Sequence, residues 1–301
     1  MKLAFIGLGT MGGAMAANLQ RAGHEVRAHD VRRVEGFKHW CSSTAEAAQG
    51  CELVFTSLPG PDEVDKVAAE LKPALRSGAA WFDLSTNSPA RIRRVHADFQ
   101  SKGVQVLDAP VSGGAPGAKS GKLAIWVGGD RATYDRHLAI LRAMGDQPFY
   151  VGAIGAATVA KLAHNIASFS VHAALAEIFT LGVKAGVEPL ALFRALRQGA
   201  TGRKRTFDRL AEHFLLGKYD PASFSLRLAH KDATLALELG KEVGVPMQIG
   251  RVALGELEQA IDRGWIERDF RVAMTLQEER AGVSARVPAP ALCQTLPAMW
   301  W

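Results

Sequence analysis

The sequence predicts a two-part α/β protein, with a doubly wound, largely parallel sheet in its N-terminal half and an all-helical C-terminal half. Two observations carry this prediction. Up to about residue 150, short apolar runs alternate with segments of helical periodicity, which is typical of a parallel sheet covered by helices on both faces. Beyond that point only helical segments separated by Gly or Pro remain. We therefore expect a sheet domain over residues 1–152 and a helical domain over residues 153–301, linked by a long helix.

Each predicted element follows from its own pattern. Continuous apolar runs predict strands at residues 2–6, 25–30, 52–59, 79–86, 104–111 and 122–129. Apolar residues at helical spacing predict helices between them at 11–22, 62–76, 88–102 and 130–143. In the second half the same spacing predicts helices at 156–185, 188–198, 204–215, 225–243, 247–263 and 268–281. The proline-containing tail from residue 288 is expected to be irregular.

Composition narrows the classes of function. A chain of 301 residues with 48 % hydrophobic and 22 % charged residues is typical of a soluble globular protein. The net charge is +6, but the densest basic cluster, at residues 203–205, is short and lacks interleaved aromatic residues. We therefore expect no nucleic-acid partner, and a positive surface that attracts small anionic substrates. No apolar run approaches the roughly 18 residues of a membrane helix, so no membrane association is expected.

Cysteine and histidine usage bears on compartment and metals. The three cysteines show no metal-ligand spacing, and their odd number argues against a disulfide framework. His164, His172 and His230 likewise lack paired-ligand spacing. We expect a cytoplasmic protein without a metal site.

The opening stretch "GLGTMG" has the G-x-G-x-x-G pattern between a predicted strand and a predicted helix. Gly7 would permit the tight turn, Gly9 would let the backbone approach a pyrophosphate, and Gly12 would let the helix pack closely on the strand. The intervening residues, whose N–H groups at the helix start would help to hold the phosphates, are Leu8, Thr10 and Met11. This pattern predicts a Rossmann-type dinucleotide-binding domain.

Asp30 ends the second predicted strand, where a carboxylate can accept hydrogen bonds from the adenosine ribose hydroxyls. That position favours NAD, because the carboxylate would repel the 2′-phosphate of NADP. Arg32 and Arg33 follow closely enough to bind such a phosphate, so NADP stays possible.

Further cofactor contacts are expected where other strands end, since ligands of open α/β sheets bind at the carboxyl edge. "SLPG" and "LSTNSP" occupy two such positions. Pro59 would form a rigid wall beside a ring, and Thr86 offers a hydroxyl to the ribose or nicotinamide. An ordinary turn or helix cap is the alternative for each of these residues.

The segment "PVSGGAPG" follows the fifth predicted strand. Gly113 and Gly114 would expose backbone N–H groups as an anion-binding concavity, and the Ser112 hydroxyl would add a donor. A substrate carboxylate suits such a site. The alternative is a flexible hairpin between two strands.

Lys161 is the only Asp, Glu, Lys or Arg between residues 147 and 176. A buried lysine without a partner is costly, so either this helix is solvated there or the charge has a function. At helical spacing Lys161 shares a face with Thr158, Asn165 and Ser168, a row of small polar groups unlike most solvent faces. We expect the row to face a cleft. A lysine whose pKa is lowered by apolar surroundings could accept the proton of an alcohol during its oxidation.

Four motifs in order make the chain similar to the β-hydroxyacid dehydrogenase family, which includes 3-hydroxyisobutyrate dehydrogenase. They are the opening glycines, "DAPVSGGAPGAKSGKLAIWVGG" at 108–129, "GAATVAKLAHN" at 155–165 and "HKDATLALE" at 230–238. The resemblance implies a Rossmann domain, a helical domain and an active site in the cleft between them. Two departures are Ala157, where the family usually has glycine, and His164, where it often has a second asparagine.

The resemblance also implies roles for individual residues. It makes Lys161 the catalytic general acid/base and Asn165 its neighbour on the substrate. It makes Ser112, Gly113 and Gly114 the loop that binds the substrate carboxylate. The residues that match the family's cofactor contacts are Leu58, Pro59, Thr86 and Lys231. Without the resemblance, Lys231 would read as a solvated helix residue, and the role of Asp232 beside it stays open.

The sequence therefore predicts an NAD-preferring dehydrogenase that interconverts a short 3-hydroxy acid with its semialdehyde or keto form. An imine-reductase-like enzyme of the same architecture is an alternative, although such relatives generally replace the catalytic lysine. A decarboxylating phosphogluconate-type enzyme and a non-catalytic dinucleotide-binding oligomer are the others. The apolar helices of the second half predict a homodimer or homotetramer.

Overall fold

The computed structural model describes residues 1–199, 211–242, 244 and 247–290. The predicted tail beyond residue 290, the basic cluster at 203–205 and most of the predicted helix 204–215 lie outside this part of the chain. The described chain divides into two compact units, Met1–Ala163 and a unit from His164 onward. The division falls inside the long helix, beyond residue 152, and the domain limits given above stay a prediction.

The N-terminal unit alternates strands and helices as predicted. Its strands are β1 Lys2–Ile6, β2 Glu25–His29, β3 His39–Trp40, β4 Leu53–Thr56, β5 Ala80–Asp83, β6 Gln105–Asp108, β7 Val111–Ser112, β8 Ala124–Gly128 and β9 Gln147–Gly152. Its helices are α1 Gly12–Arg21, α2 Thr44–Ala48, α3 Pro61–Ala74, α4 Pro89–Gln100, α5 Gly114–Ser120 and α6 Arg131–Leu141. Helix α7, Ala156–Lys184, follows directly.

The described strands form one sheet in the order β3-β2-β1-β4-β5-β6-β8-β7, with β9 paired to β8. The first six strands of this order are mutually parallel, whereas β8 runs antiparallel to β6 and β7. The order 3-2-1-4-5-6 is that of a Rossmann sheet. The predicted doubly wound, largely parallel fold is therefore confirmed.

Both faces of the sheet are buried. In β1, Leu3 and Phe5 pack in one hydrophobic cluster with residues of α1 and α6, while Ala4 and Ile6 pack in another with residues of α2, α3 and α4. Successive side chains of a strand point to opposite faces, so a strand buried on both sides reads as a continuous apolar run. This is why the strands could be predicted.

Five elements of the described chain were not predicted from the sequence, each for a physical reason. β3, α2, β7 and α5 are too short to show a period, and α5 lies in the glycine-rich segment for which a loop was expected. β9 contains Pro148 and exposed residues, which disguise a strand. The predicted helix 268–281 is in fact a 3₁₀ helix, Phe270–Ala273, that continues into an α-helix.

The described part of the C-terminal unit is helical. After α7 come α8 Pro189–Gln198, a short π-helix Ala211–Leu215, α9 Leu226–Glu242, α10 Gln248–Asp262 and α11 Met274–Ala281. Its core includes Phe179, Phe193 and Phe214, all fully buried. A second aromatic group joins Phe169 of α7 to Phe224 and Phe270.

Candidate cofactor site and active site

The glycine loop lies at the point where the strand order of the sheet reverses. β1 and β4 are neighbours. The chain continues from β1 to β2 on one side of this pair, and from β4 to β5 on the other side. Gly7 directly follows β1 and Ser57 directly follows β4. Open α/β sheets bind ligands at the carboxyl ends of the strands flanking such a reversal. The topology therefore puts the predicted loop where a dinucleotide would be bound.

The three glycines of this loop differ in what surrounds them. Gly7 has a φ of 88°, and a Cβ there would lie 2.3 Å from the carbonyl oxygen of Ser57. A Cβ at Gly12 would lie 1.9 Å from the carbonyl oxygen of Gly7. A Cβ at Gly9, by contrast, would meet no atom within 4 Å. Gly7 and Gly12 are thus required by the fold, whereas Gly9 borders open space that a pyrophosphate could use.

Asp30 stands beside this loop. Its carboxylate accepts hydrogen bonds from the backbone N–H groups of Leu8, at 2.6 Å, and Arg32, at 3.1 Å. The acid is therefore fixed at the end of β2, next to the glycine turn. The first turn of α1 contains no acidic residue, so nothing in that turn opposes a phosphate at the helix start. These residues fit a dinucleotide.

A buried polar network supports the loops after β4 and β5. Asp83 accepts hydrogen bonds from the Thr56 hydroxyl at 2.8 Å, from the Ser85 N–H at 3.2 Å and from the Asn87 amide at 3.1 Å. Burial raises the pKa of Asp83, and these hydrogen bonds oppose that shift.

The Ser85 hydroxyl in turn accepts from the N–H of Leu58 at 2.9 Å. The structure thus ties Leu58 to the loop that contains Thr86. Thr86 is half-buried and Pro59 is exposed.

Asp108 at the end of β6 is a second buried carboxylate, and it binds the start of α7. It is fully buried and accepts hydrogen bonds from the N–H of Gly155, at 2.8 Å, and from the N–H and hydroxyl of Thr158, at 2.7 and 2.8 Å. Burial raises the pKa of Asp108 against the effect of these donors. One carboxylate therefore holds the first turn of the helix that carries Lys161.

The segment Ser112–Gly114 follows β6 after three residues. Ser112 belongs to the short strand β7, and Gly114 begins α5. Gly113 and Gly114 have φ values of 132° and 61°, and both are exposed. Side-chain-bearing residues rarely adopt such values, so glycine is required by this backbone. The conformation leaves the Gly-Gly peptide open to a ligand.

The polar row predicted on α7 is not a solvent-exposed stripe. Thr158 is fully buried, Lys161 and Ser168 are half-buried, and Asn165 is buried. His172, one turn further on, donates from its Nδ1 to the Ser168 carbonyl at 2.7 Å and packs edge-on against Phe270, which identifies it as a core histidine.

In the C-terminal unit, Asp232 joins two of the predicted site residues. Its buried carboxylate accepts a hydrogen bond from the Asn165 amide and pairs with the Lys231 ammonium at 2.9 Å. Asn165 lies on α7 and the other two on α9. The arrangement fixes the Asn165 amide with its nitrogen toward Asp232, which leaves its carbonyl oxygen to face elsewhere.

Three of these supporting acids were not assigned roles from the sequence. Asp83 and Asp108 both end buried apolar strands, "AAWFD" and "VQVLD", and Asp232 matched a motif without a stated role. A carboxylate that ends a largely apolar strand is the signal that could have identified the first two, because such a group needs donors from another segment.

Among the described residues, no three His, Cys, Asp or Glu side chains are grouped so that they could hold a metal ion. No described helix is long and apolar enough to cross a membrane.

The sheet topology, the glycine turn and Asp30 together define a dinucleotide-binding domain, and comparison with known proteins specifies the class of protein. Residues 2–152 match the NAD binding domain of 6-phosphogluconate dehydrogenase. Residues 155–276 match the NAD-binding domain of NADP-dependent 3-hydroxyisobutyrate dehydrogenase. The chain belongs to the β-hydroxyacid dehydrogenase family of NAD(P)-dependent oxidoreductases, which confirms the resemblance noted above.

Individual relatives cover nearly the whole chain. A 2-(hydroxymethyl)glutarate dehydrogenase of Eubacterium barkeri is 32% identical, over 94% of this chain and 97% of the relative. An NAD-dependent L-serine dehydrogenase of Pseudomonas aeruginosa is 31% identical, over 93% and 99%. The structure of Mycobacterium tuberculosis 3-hydroxyisobutyrate dehydrogenase with L-serine superimposes with a TM-score of 0.81 at 30% identity, covering 91% of this chain and 98% of that one.

Proposed function

We propose that the protein oxidises the primary alcohol of a short 3-hydroxy acid to the semialdehyde, or catalyses the reverse reduction, with Lys161 as the general acid/base. The observation that carries this proposal is the placement of Lys161. It is half-buried on a helix whose start is fixed to the sheet by Asp108, in the N-terminal unit that also carries the dinucleotide loop and the Ser112–Gly114 segment.

The names of the relatives suggest the substrate class. L-Serine, 3-hydroxyisobutyrate and 2-(hydroxymethyl)glutarate share a 3-hydroxypropanoate core and differ in the substituent at carbon 2. We therefore propose a 2-substituted 3-hydroxypropanoate as the substrate. The open Gly113–Gly114 peptide and the Ser112 hydroxyl would bind its carboxylate.

Each residue then has a defined task. The bound nicotinamide supplies the hydride acceptor for the oxidation. Lys161, in its neutral form, accepts the hydroxyl proton, and as ammonium it returns that proton to the carbonyl oxygen in the reductive direction. Asn165 presents its amide oxygen to the lysine, because Asp232 accepts one N–H of the amide group. The second N–H would donate to the oxygen of the substrate hydroxyl. Lys231, paired with the same Asp232, would contact cofactor and substrate.

For the cofactor we propose NAD in preference to NADP. Asp30 presents a carboxylate beside the N–H of Leu8, where the adenosine ribose of a dinucleotide would lie. Arg33, which could attract a 2′-phosphate, has the Glu35 carboxylate 3.6 Å away. Leu8, Gly9, Thr10 and Met11 would hold the phosphates, and Leu58, Pro59 and Thr86 would contact the nicotinamide side.

Two further parts of the proposal concern the protein's context. We propose a homodimer or homotetramer, since Ile249 and Val252 expose 63% and 52% of their surface on one helix, and light scattering that found a monomer would contradict it. We propose a reducing cytoplasm as the compartment, since Cys41 and Cys51 are free and buried. Secretion of the native protein in cell fractionation would contradict this.

Initial rates with a panel of compounds test the proposed function. The panel contains 3-hydroxyisobutyrate, L-serine and 2-(hydroxymethyl)glutarate, each with NAD and with NADP. Isobutanol, which lacks the carboxylate, is the matched control. We expect turnover of at least one acid, faster with NAD, and none of the alcohol. Reduction of cyclic imines without turnover of any acid would contradict the proposal in favour of the imine-reductase alternative.

A further inference from the structure

Asp108 is a buried carboxylate that contacts neither the glycine loop nor the proton in the proposed reaction. Its three donors all come from Gly155 and Thr158, at distances of 2.7 to 2.8 Å. These residues flank the start of α7 at Ala156. The first N–H groups of a helix have no partner within the helix, so an acceptor from another segment fixes where the helix begins.

Asp108 lies in the chain just before the segment proposed to bind the substrate carboxylate. Asp108 is the last residue of β6, and the chain continues from it to Ser112 and the Gly113–Gly114 peptide. On the other side of the contact, Lys161 follows Thr158 by about one helical turn. One side chain therefore joins the segment proposed to bind the substrate carboxylate to the helix that carries the proposed base.

Two other carboxylates in the same unit serve as comparisons for Asp108. Asp130 caps a helix, and Asp83 is a buried acid at the end of a strand. Asp130 caps α6 through the same chemistry, accepting from the N–H and hydroxyl of Thr133 at 2.7 and 2.6 Å, but α6 carries no predicted site residue. Asp83 occupies the matching place in the neighbouring strand, paired in register with Asp108. Its donors are Thr56 at the end of β4 and Ser85 and Asn87 in the loop that contains Thr86.

We infer that Asp108 is a positioning residue for Lys161, setting the base at the correct distance from a substrate held by Ser112–Gly114. The inference rests on the proposed function of Lys161. In Asp108→Asn the side-chain NH₂ group would face backbone N–H donors, so at least one hydrogen bond to the helix start is lost without a change in size. A base displaced by about 1 Å can lower the rate up to about 100-fold.

The test is a kinetic cycle of four proteins: native, Asp108→Asn, Lys161→Ala and the double variant. The substrate is the best acid of the panel, and single turnovers are followed for hours so that slow variants remain measurable. NAD affinity is measured by fluorescence titration, and Tm is measured for every variant. Asp130→Ala, which removes the acceptor at the start of α6, serves as the capping control, and Asp83→Asn serves as the matched burial control.

We expect Asp108→Asn to lower kcat at least 10-fold with NAD affinity unchanged within about twofold, and to have no further effect in the Lys161→Ala background. Asp130→Ala should lower Tm but leave kcat of the folded enzyme unchanged. Asp83→Asn should weaken NAD binding more than it lowers kcat.

Three results would overturn the inference or its basis, and they are distinguishable. Unchanged kcat in Asp108→Asn would leave the residue with a capping role alone. An equal fold-loss in both lysine backgrounds would show that Asp108 acts independently of Lys161. Normal kcat in Lys161→Ala would contradict the proposed function itself.

If Asp108→Asn does not fold, Thr158→Val replaces it in the same cycle. This change removes one donor to Asp108 and keeps the buried volume. A kcat at least threefold below native with unchanged NAD affinity would support the inference, whereas a native kcat would overturn it.

Discussion

Single residues of the N-terminal unit divide between those that the fold requires and those that it leaves open for a ligand. Gly12 is required because a Cβ there would lie 1.9 Å from the Gly7 carbonyl oxygen. Gly9 is a glycine of the same motif, yet no atom lies within 4 Å of its ideal Cβ position. One motif thus contains glycines that the fold requires and a glycine that borders open space.

Alanine substitution should separate the two glycines. Gly12→Ala is expected to lower Tm by several degrees, because helix α1 must move away from the turn. Gly9→Ala is expected to keep Tm within about 2 °C but to weaken NAD binding at least about 10-fold, a loss of ~1.4 kcal/mol, because the new methyl group occupies the pyrophosphate space. Thermal unfolding without cofactor and fluorescence titration with NAD are the measurements. Native NAD affinity in Gly9→Ala would contradict the assignment.

Individual residues could be predicted from the sequence where only one residue type meets the physical requirement of the position. Gly7, Gly9 and Gly12 could be predicted because a tight turn and a close approach both exclude side chains. The partners of Asp83, Asp108 and Asp232 could not be predicted, because each carboxylate binds groups brought to it by the fold. Asp108 accepts from residues 155 and 158, and Asp232 from residue 165.

At the scale of elements, helices α6 and α7 are each capped at their start by an aspartate that accepts hydrogen bonds from a threonine, but one aspartate is exposed and the other is buried. Asp130 is exposed, and hydrogen bonds from the Thr133 hydroxyl and N–H lower its pKa from the ordinary value of 3.8. Asp108 is buried, and loss of hydration raises its pKa from the same ordinary value. The two caps should therefore contribute to stability with opposite pH dependence.

The stability contributed by the Asp130 ionisation is present above pH 3.8 and is lost as the pH falls through the lowered folded-state pKa. For Asp108 the folded state keeps its proton after the unfolded state has lost it. Its contribution is therefore present below pH 3.8 and is lost as the pH rises through the raised folded-state pKa.

Urea unfolding of the native protein, Asp130→Asn and Asp108→Asn at a series of pH values checks this pair of signs. On acidification from pH 5 toward pH 3, the difference in unfolding free energy between the native protein and Asp130→Asn should shrink. On acidification from pH 7 toward pH 4, the difference between the native protein and Asp108→Asn should grow. The same sign for both variants would contradict the account of their environments.

Strands buried on both faces and helices of several turns were predictable, whereas very short elements and the partly exposed strand β9 were not. Strands β1, β4 and β5 are apolar throughout because both sheet faces are covered, and α9 and α10 show clear apolar periods. By contrast, α5 has seven residues and β7 has two, which is below the length at which a period can be recognised. The omission matters because α5 begins at Gly114, so the segment Ser112–Gly114 joins a strand to a helix and is not the hairpin that the sequence also allowed.

At the scale of the whole molecule, the family match and the sheet topology both indicate a dinucleotide-binding domain in the N-terminal half. The family profiles match residues 2–152 and 155–276, and the N-terminal match spans the complete sheet. The sequence could predict this arrangement, because strand–helix alternation determines the topology to within a few possibilities. It could not identify the substituent at carbon 2 of the substrate, since that depends on packing in three dimensions.

The central claim is that Lys161 transfers the proton during oxidation of the 3-hydroxy acid. The measurement that tests it most directly compares single-turnover oxidation of the best acid by the native enzyme and by Lys161→Ala, with NAD affinity determined for both. We predict a rate lower by ~10²–10⁴-fold with NAD affinity preserved, because the loss of a general base removes that much acceleration. A Lys161→Ala enzyme that binds NAD normally and oxidises the acid at the native rate would contradict the claim.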